Sequence, residues 1–233
     1  MIKVNNVSYR YPKGESVLDN FSINIEEGGI YGLLGKNGTG KSTLLYVMPG
    51  LLRPQAGEVD IDGNNPRDRK AELTREMYLV PEEYDMPDAQ LSDYVKAMKP
   101  FYPRFDEELM NTCLKEFDMN PNVNMKRLSM GQKKKVLICF ALATNTRYLF
   151  MDEPTNGLDI LAKSQFRQVL IKGMNDKKTI IISTHQVHDV EHLLDHVIIM
   201  ERNKVLLQQP LVESDDEPIN LEQLFIDTVS KKL

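Results

Sequence analysis

The sequence carries no excess of positive charge. Its 29 Lys and Arg stand against 34 Asp and Glu, a formal net charge of −5, so nothing general draws it to nucleic acid. The one basic run, Lys133 to Lys135, reads as a solvated helix face rather than a phosphate-binding stripe. Cysteine is scarce as well. Cys113 and Cys139 show no C-x-x-C spacing, which excludes a disulfide framework or a thiolate metal clip and fits a reducing compartment. Cys139 sits inside the apolar run VLICFALA and is expected in the core. No apolar run approaches the roughly 18 residues that cross a bilayer. The start, MIKVNNVSYRYPKG, enters an alternating strand without the apolar region of a secretory signal. The chain is expected to be soluble by itself and to serve any membrane through a partner. Internal repeats and low-complexity tracts are missing, and only ESDDEP, residues 213–218, reads as a short linker. What remains is 233 residues, 41% of them hydrophobic, enough for one sizeable domain or one domain with an inserted lobe.

Glycine is concentrated where it has chemical meaning. GKNGTGKST, Gly35 to Thr43, follows the apolar run Ile30 to Leu34 and fits G-x-x-x-x-G-K-[ST] at Gly35, Gly40, Lys41 and Ser42. Glycine lets the backbone curl so that successive N–H groups point inward, and a helix beginning near Lys41 adds its positive end. Together these bind phosphate. Lys41 is expected at the β- and γ-phosphates and Ser42 on Mg²⁺, with Asn37, Gly38, Thr39 and Thr43 completing the nucleotide cradle.

Strands and helices alternate around this loop. IKVNNVSYRY, FSINIEE and GEVDIDG read as early strands, and GGIYGLLG as the buried strand before the loop. Helical patterns follow in DAQLSDYVKAMKPFY and FDEELMNTCLKEFDM, with Asp88 and Asp106 as N-caps. Then come a helix MGQKKKVLICFALAT, a strand RYLFMDEP, a helix DILAKSQFRQVLIKGM, a strand KTIIIST and the hairpin HVIIMERNKVLLQQ. The alternation predicts an α/β fold, a largely parallel sheet with helices on both faces. Residues of about 84–146 read as a mostly helical insert.

Further motifs select the chemistry. YLFMDEP ends an apolar strand on Asp152 and Glu153. In a P-loop enzyme the aspartate there binds Mg²⁺, and a second carboxylate can orient and polarise water. LSMGQ (Leu128 to Gln132) lies before it, and NGLD (Asn156 to Asp159) and STHQ with His185 lie after it. This set, in this order, resembles the nucleotide-binding subunit of ATP-binding-cassette (ABC) transporters along nearly the whole chain. LSMGQ corresponds to the family's signature, GLD to its D-loop and His185 to its switch histidine, while Tyr11 fits the aromatic that stacks on adenine. Tyr9 is the less favoured candidate, since strand alternation keeps it in the sheet.

The resemblance implies one ABC ATPase domain over 1–233, with a P-loop NTPase (RecA-like) core, an N-terminal antiparallel β subdomain and the helical insert. It implies ATP and Mg²⁺, and a second cassette closing head to tail with ATP in the seam. Ser129, Gly131 and Gln132 of one subunit then meet the nucleotide held by the other, and Asp159 couples the two sites. Glu153 is the expected base, with Lys41 and His185 on the γ-phosphate. The helical lobe is similar to exporter-type (ABC-2-like) cassettes. An integral membrane transporter subunit is therefore the implied partner, its cytoplasmic helix received near Glu82 and Glu83 and the cassette peripheral on the cytoplasmic face. Two positions depart from the pattern. Met130 replaces the first signature glycine, with a local change expected. Glu82 stands where the family usually has a glutamine ligand for Mg²⁺; it still offers a hard oxygen but adds a full charge.

All four histidines lie between His185 and His196. His188, His192 and His196 recur at i, i+4, i+8 on a presumed helix, a spacing that can build a zinc site. The other reading is the polar face of that helix, with Val187, Val190, Leu193 and Leu194 turned inward. A soluble ABC-type ATPase on a ribosome or nucleic-acid complex is the alternative function. Such proteins usually carry two cassettes or long coiled coils, and neither is present; no extra C-terminal domain is expected. Homodimer and heterodimer both remain open.

Overall fold

The computed structural model describes residues 1–201, 203–211 and 220–230; the expected linker ESDDEP lies outside them. In chain order the elements are β1 (Ile2–Arg10), β2 (Ser16–Ile25), β3 (Gly29–Leu34), α1 (Lys41–Val47), β4 (Ala56–Ile61), α2 (Ala71–Thr74) and β5 (Met77–Val80). Three helices follow, α3 (Leu91–Met98), α4 (Glu107–Glu116) and α5 (Met130–Ala143). The chain continues through β6 (Tyr148–Asp152), α6 (Ile160–Gly173), β7 (Thr179–Thr184), β8 (His196–Glu201), β9 (Lys204–Pro210) and α7 (Leu221–Ser230).

Two sheets organise them. β2-β1-β4 form an antiparallel sheet, and β5-β6-β7-β3-β8-β9 a second one. In the second sheet every neighbouring pair is parallel except β8 with β9, which is the expected hairpin. Side chains alternate across the sheet with period two. Tyr31, Leu33, Phe150, Ile181 and Ile198 face α1 and the antiparallel sheet. Ile30, Leu34, Leu149, Met151 and Ile182 face the helical side with Val136 and Phe166. The sheet is buried on both faces, which explains the continuous apolar runs of its strands.

The three helices α3 to α5 occupy the chain between β5 and β6, two strands that pair directly, Met77 opposite Tyr148. Phe140 on α5 holds them to the sheet. Its fully buried ring lies 5.7 Å from that of Tyr78 on β5 and 5.2, 6.1 and 5.3 Å from those of Tyr94, Tyr102 and Phe105.

Four local expectations are corrected. Asp88 does not cap α3; Gln90 occupies that position, and the Asp88 carboxylate accepts from Asn124 at 2.8 Å. The α-helix expected through Tyr102 narrows to a 3-10 turn at Lys99–Phe101, where Pro100 has no N–H to continue the ladder. The helix expected after His185 is instead two 3-10 turns, Val187–Asp189 and Glu191–Leu193, tightened so that Val190, Leu193 and Leu194 still reach the core. Lys133 to Lys135 do not form a solvated face. Lys134 is 3% exposed, and Lys135 lies 5.5 Å from the Phe117 ring, because α5 runs under the sheet. Asp106 does cap α4, accepting from the Leu109 N–H at 2.8 Å.

Candidate active site

Parallel strands present their carboxyl ends together, and ligands of such sheets sit outside those ends. Here β3, β6 and β7 are adjacent, so Leu34, Asp152 and Thr184 finish at one edge. The loop from Gly35 to Gly40 leaves β3 and turns into α1. A Cβ on Gly35 would lie 2.6 Å from the Met200 carbonyl oxygen, and Gly40 has φ +95° beside the Val17 carbonyl; neither place accepts a side chain without strain. Lys41, only 5% exposed, donates to the carbonyls of Gly35 and Lys36 at 2.8 and 3.1 Å. Burial pushes its ammonium below the usual lysine value, and the carboxylates of Glu153, Asp152 and Glu82 oppose that shift.

The two acidic residues take different places. Asp152 is buried beneath the loop, accepting hydrogen bonds from Ser42 at 2.9 Å and from Ser183. Burial raises its carboxyl above the ordinary range, against the pull of those two hydroxyls. Ser183 is set there by register, since it pairs with Asp152 across β6 and β7. Glu153 has φ +44°, a left-handed conformation uncommon for a non-glycine residue. Its N–H meets the Ser183 carbonyl at 3.1 Å. One carboxylate oxygen lies 2.8 Å from Nδ1 of His185. The other, Oε2, is buried and has no hydrogen-bond partner among the described residues.

A cleft of about 530 Å³ gathers Tyr11, Asn37, Gly38, Gly40, Lys41, Ser42, Thr43, Glu82, Glu153 and His185, together with Val17 and Asn156. Gly35, Thr39 and Asp152 lie behind it as support. Tyr11 is 43% exposed with its hydroxyl 3.3 Å from that of Thr43, whereas Tyr9 is buried. Glu82 reaches the cleft, and its carboxylate accepts from Asn156 at 3.0 Å.

The signature does not share this cleft. Ser129 caps α5 in a reciprocal box with Gln132, and both are exposed with Met130 beside them. A Cβ on Gly131 would stand 3.4 Å from the Gly157 carbonyl, so this helix start lies against the turn that leads to Asp159. Asp159 is exposed and caps α6 through the Ala162 N–H at 2.8 Å. The histidine trio does not assemble either. His188 bonds to Glu191 and Glu222, His192 approaches Glu191, and His196 stacks on Tyr31 at 4.3 Å. Among the described residues no group of three or more His, Cys, Asp or Glu is placed to hold a metal ion.

Sequence reading passed over three residues of the site: Ser183 under Asp152, Asn156 on Glu82, and Lys134, whose ammonium meets the Glu153 carbonyl oxygen at 3.0 Å. Only Asn156 carried a signal, lying within the NGLD stretch.

The chain resembles known proteins along most of its length. Residues 18–156 match the family model described as ABC transporter. The chain is 33% identical over 245 residues to the energy-coupling factor transporter ATP-binding protein EcfA of Methanocaldococcus jannaschii, covering 99% of this chain and 87% of that one. It is 29% identical over 229 residues to the lantibiotic transport ATP-binding protein SrtF of Streptococcus pyogenes, covering 97% and 96%. Among solved structures it is similar to a dimeric ATP-binding cassette in a post-hydrolysis state bound to ADP and phosphate, with a TM-score of 0.78, 28% identity and coverage of 92% and 100%. The chain belongs to the ABC transporter family, as one of its ATP-binding subunits.

Proposed function

We propose that this ATP-hydrolysing subunit works by enclosing ATP between two cassettes, and that closure and release drive a conformational change in an integral membrane partner. One observation carries this. The cleft with Lys41, Glu153 and His185 lacks the signature residues, of which Ser129, Met130 and Gln132 stand exposed elsewhere on the same chain. Two half-sites separated in this way complete each other only when a second cassette faces the first. Exposed apolar side chains, Met130 at 78%, Ile160 at 90% and Leu161 at 65%, lie at the starts of α5 and α6 and would be covered in the seam.

Within the cleft, the loop amides and Lys41 hold the β- and γ-phosphates, with Tyr11 against the base. Ser42 and Asp152 supply adjacent hard oxygens, and Glu82 a third nearby. This set suits Mg²⁺, which keeps waters and phosphate oxygens rather than filling an all-protein cage. When bound, the ion neutralises charge on the β- and γ-phosphate oxygens. Glu153 orients the attacking water and takes its proton. His185 holds one oxygen of that carboxylate and faces the γ-phosphate. Ser129, Gly131 and Gln132 approach that phosphate from the opposite cassette, and Asp159 lies between the two sites.

No helix among the described residues is long and apolar enough to cross a membrane. A groove of about 440 Å³ between the end of α1 and the helical insert, lined by Tyr46, Leu51, Arg69, Tyr78 and Tyr102, suits a cytoplasmic helix of the membrane partner. The transport relatives favour this role, and an exporter is the preferred type. Purification of the chain from its native membrane should bring down a stoichiometric multi-spanning protein. Recovery with ribosomes or nucleic acid instead would overturn the transport role.

A further inference from the structure

Lys134 is a buried cation that the mechanism above leaves unused. It lies one turn into α5, the helix that Ser129 caps, and it is 3% exposed. Burying an ammonium is costly unless its protons and charge are matched. The match lies at the turn after β6, where Nζ donates to the Glu153 carbonyl oxygen at 3.0 Å. The same carbonyl accepts from the Asn156 N–H at 3.1 Å. Two donors thus converge on the peptide that follows the left-handed Glu153, at φ +44°. A left-handed conformation at a side-chain-bearing residue persists only where its surroundings over-determine it, and Lys134 supplies one of the constraints. Charge points the same way. Burial lowers the Lys134 ammonium, while the carboxylates of Glu82, Asp152 and Glu153 raise it. Glu82 brings one negative charge more than a glutamine would, and Lys134 is the buried cation of α5 that faces it.

We propose that Lys134 is a positioning residue for hydrolysis: its hydrogen bond to the Glu153 carbonyl fixes the turn that aims the Glu153 carboxylate, and ties that turn to the helix bearing the signature. A shift of α5 when the second cassette docks is then felt at Glu153 through one ammonium. This rests on Glu153 being the base, as proposed above.

The test uses the full chain with Mg-ATP. Lys134→Met keeps the apolar stem and removes the donor and the charge. Steady-state kcat should fall about ten- to hundredfold, the cost of a misaimed catalytic group, with ATP Kd and Tm little changed, since an apolar side chain in place of a buried ammonium can leave stability unaltered. In a Glu153→Gln background the same substitution should not lower the residual rate further, because residues acting as one unit are not additive. An equal fall of kcat in both backgrounds, or an unchanged kcat in the first, overturns the proposal. A Glu153→Gln protein that hydrolyses at the wild-type rate overturns the base itself, and the role of Lys134 with it. If Lys134→Met does not fold, Lys134→Gln retains a neutral donor and is expected to give an intermediate rate. Failure of both to fold, or loss of ATP affinity and Tm in step with kcat, assigns the lysine to the scaffold alone.

Discussion

Phe140→Ala is the perturbation that most directly separates the helical insert from the nucleotide cleft. The ring is fully buried and meets four aromatic rings between 5.2 and 6.1 Å, one of them on β5. Phe→Ala in a packed core costs about 3–5 kcal/mol. Each aromatic pair adds about 0.5–1.5 kcal/mol beyond the buried area, so the upper half of that range is expected. Against a typical domain stability of about 5–15 kcal/mol the variant remains folded but weakened. None of these rings lines the nucleotide cleft. ATP binding should therefore persist at low temperature, while amide protection falls in α3 and α4. Urea unfolding gives the free-energy loss, and hydrogen exchange locates it. A loss below about 1 kcal/mol, outside the range for large-to-small core changes, would refute the role of Phe140 as the pin. So would protection lost evenly across β3, β6 and β7.

Other consequences follow from single side chains. Lys178 is 1% exposed and donates to the Gly173 and Leu142 carbonyls at the ends of α6 and α5, and burial lowers its pKa to about 8. The unfolded chain then holds the extra proton between that value and the ordinary lysine range, so stability rises with pH across the window. The advantage of wild type over Lys178→Met in urea unfolding should grow by about 2 kcal/mol from about pH 7 to pH 10, and a flat difference would remove the lysine from the balance. Glu82→Gln should retain substantial ATPase activity, whereas Glu82→Ala should need more Mg²⁺ for half-maximal rate. Superimposable Mg²⁺ titrations for all three proteins would take Glu82 out of the metal's surroundings.

Much of this was legible because local chemistry and long-range structure agree. The G-x-x-x-x-G-K-S run has the turn its glycines allow, Asp152 ends a strand apolar on both faces, and the hairpin of β8 and β9 forms where expected. The places that were not legible depend on what lies opposite. Three consecutive lysines look solvated until α5 is packed under the sheet and Lys134 finds the Glu153 carbonyl. Ser183 ends a strand like many serines, and only the register of β7 against β6 brings it to Asp152. Asp88 satisfies the composition of a cap, yet Asn124, 36 residues away, takes its carboxylate. The i, i+4, i+8 histidines need a continuous helix, and the inward pull of Val190, Leu193 and Leu194 tightens that segment into short turns.

If the signature of one cassette closes on ATP held by another, oligomeric state under turnover block reports it directly. Glu153→Gln keeps the shape of the side chain and removes the proton acceptor, a loss of about 10²- to 10⁴-fold in rate for a positioned base, so the closed pair should accumulate. Size-exclusion chromatography with light scattering should show a Glu153→Gln dimer in Mg-ATP and a monomer in ADP. Adding Ser129→Arg, which places bulk and charge at the exposed cap of α5 without touching the loop around Lys41, should return the Mg-ATP sample to monomer. A Glu153→Gln dimer that forms with Mg-ATP and survives Ser129→Arg would contradict the shared ATP site.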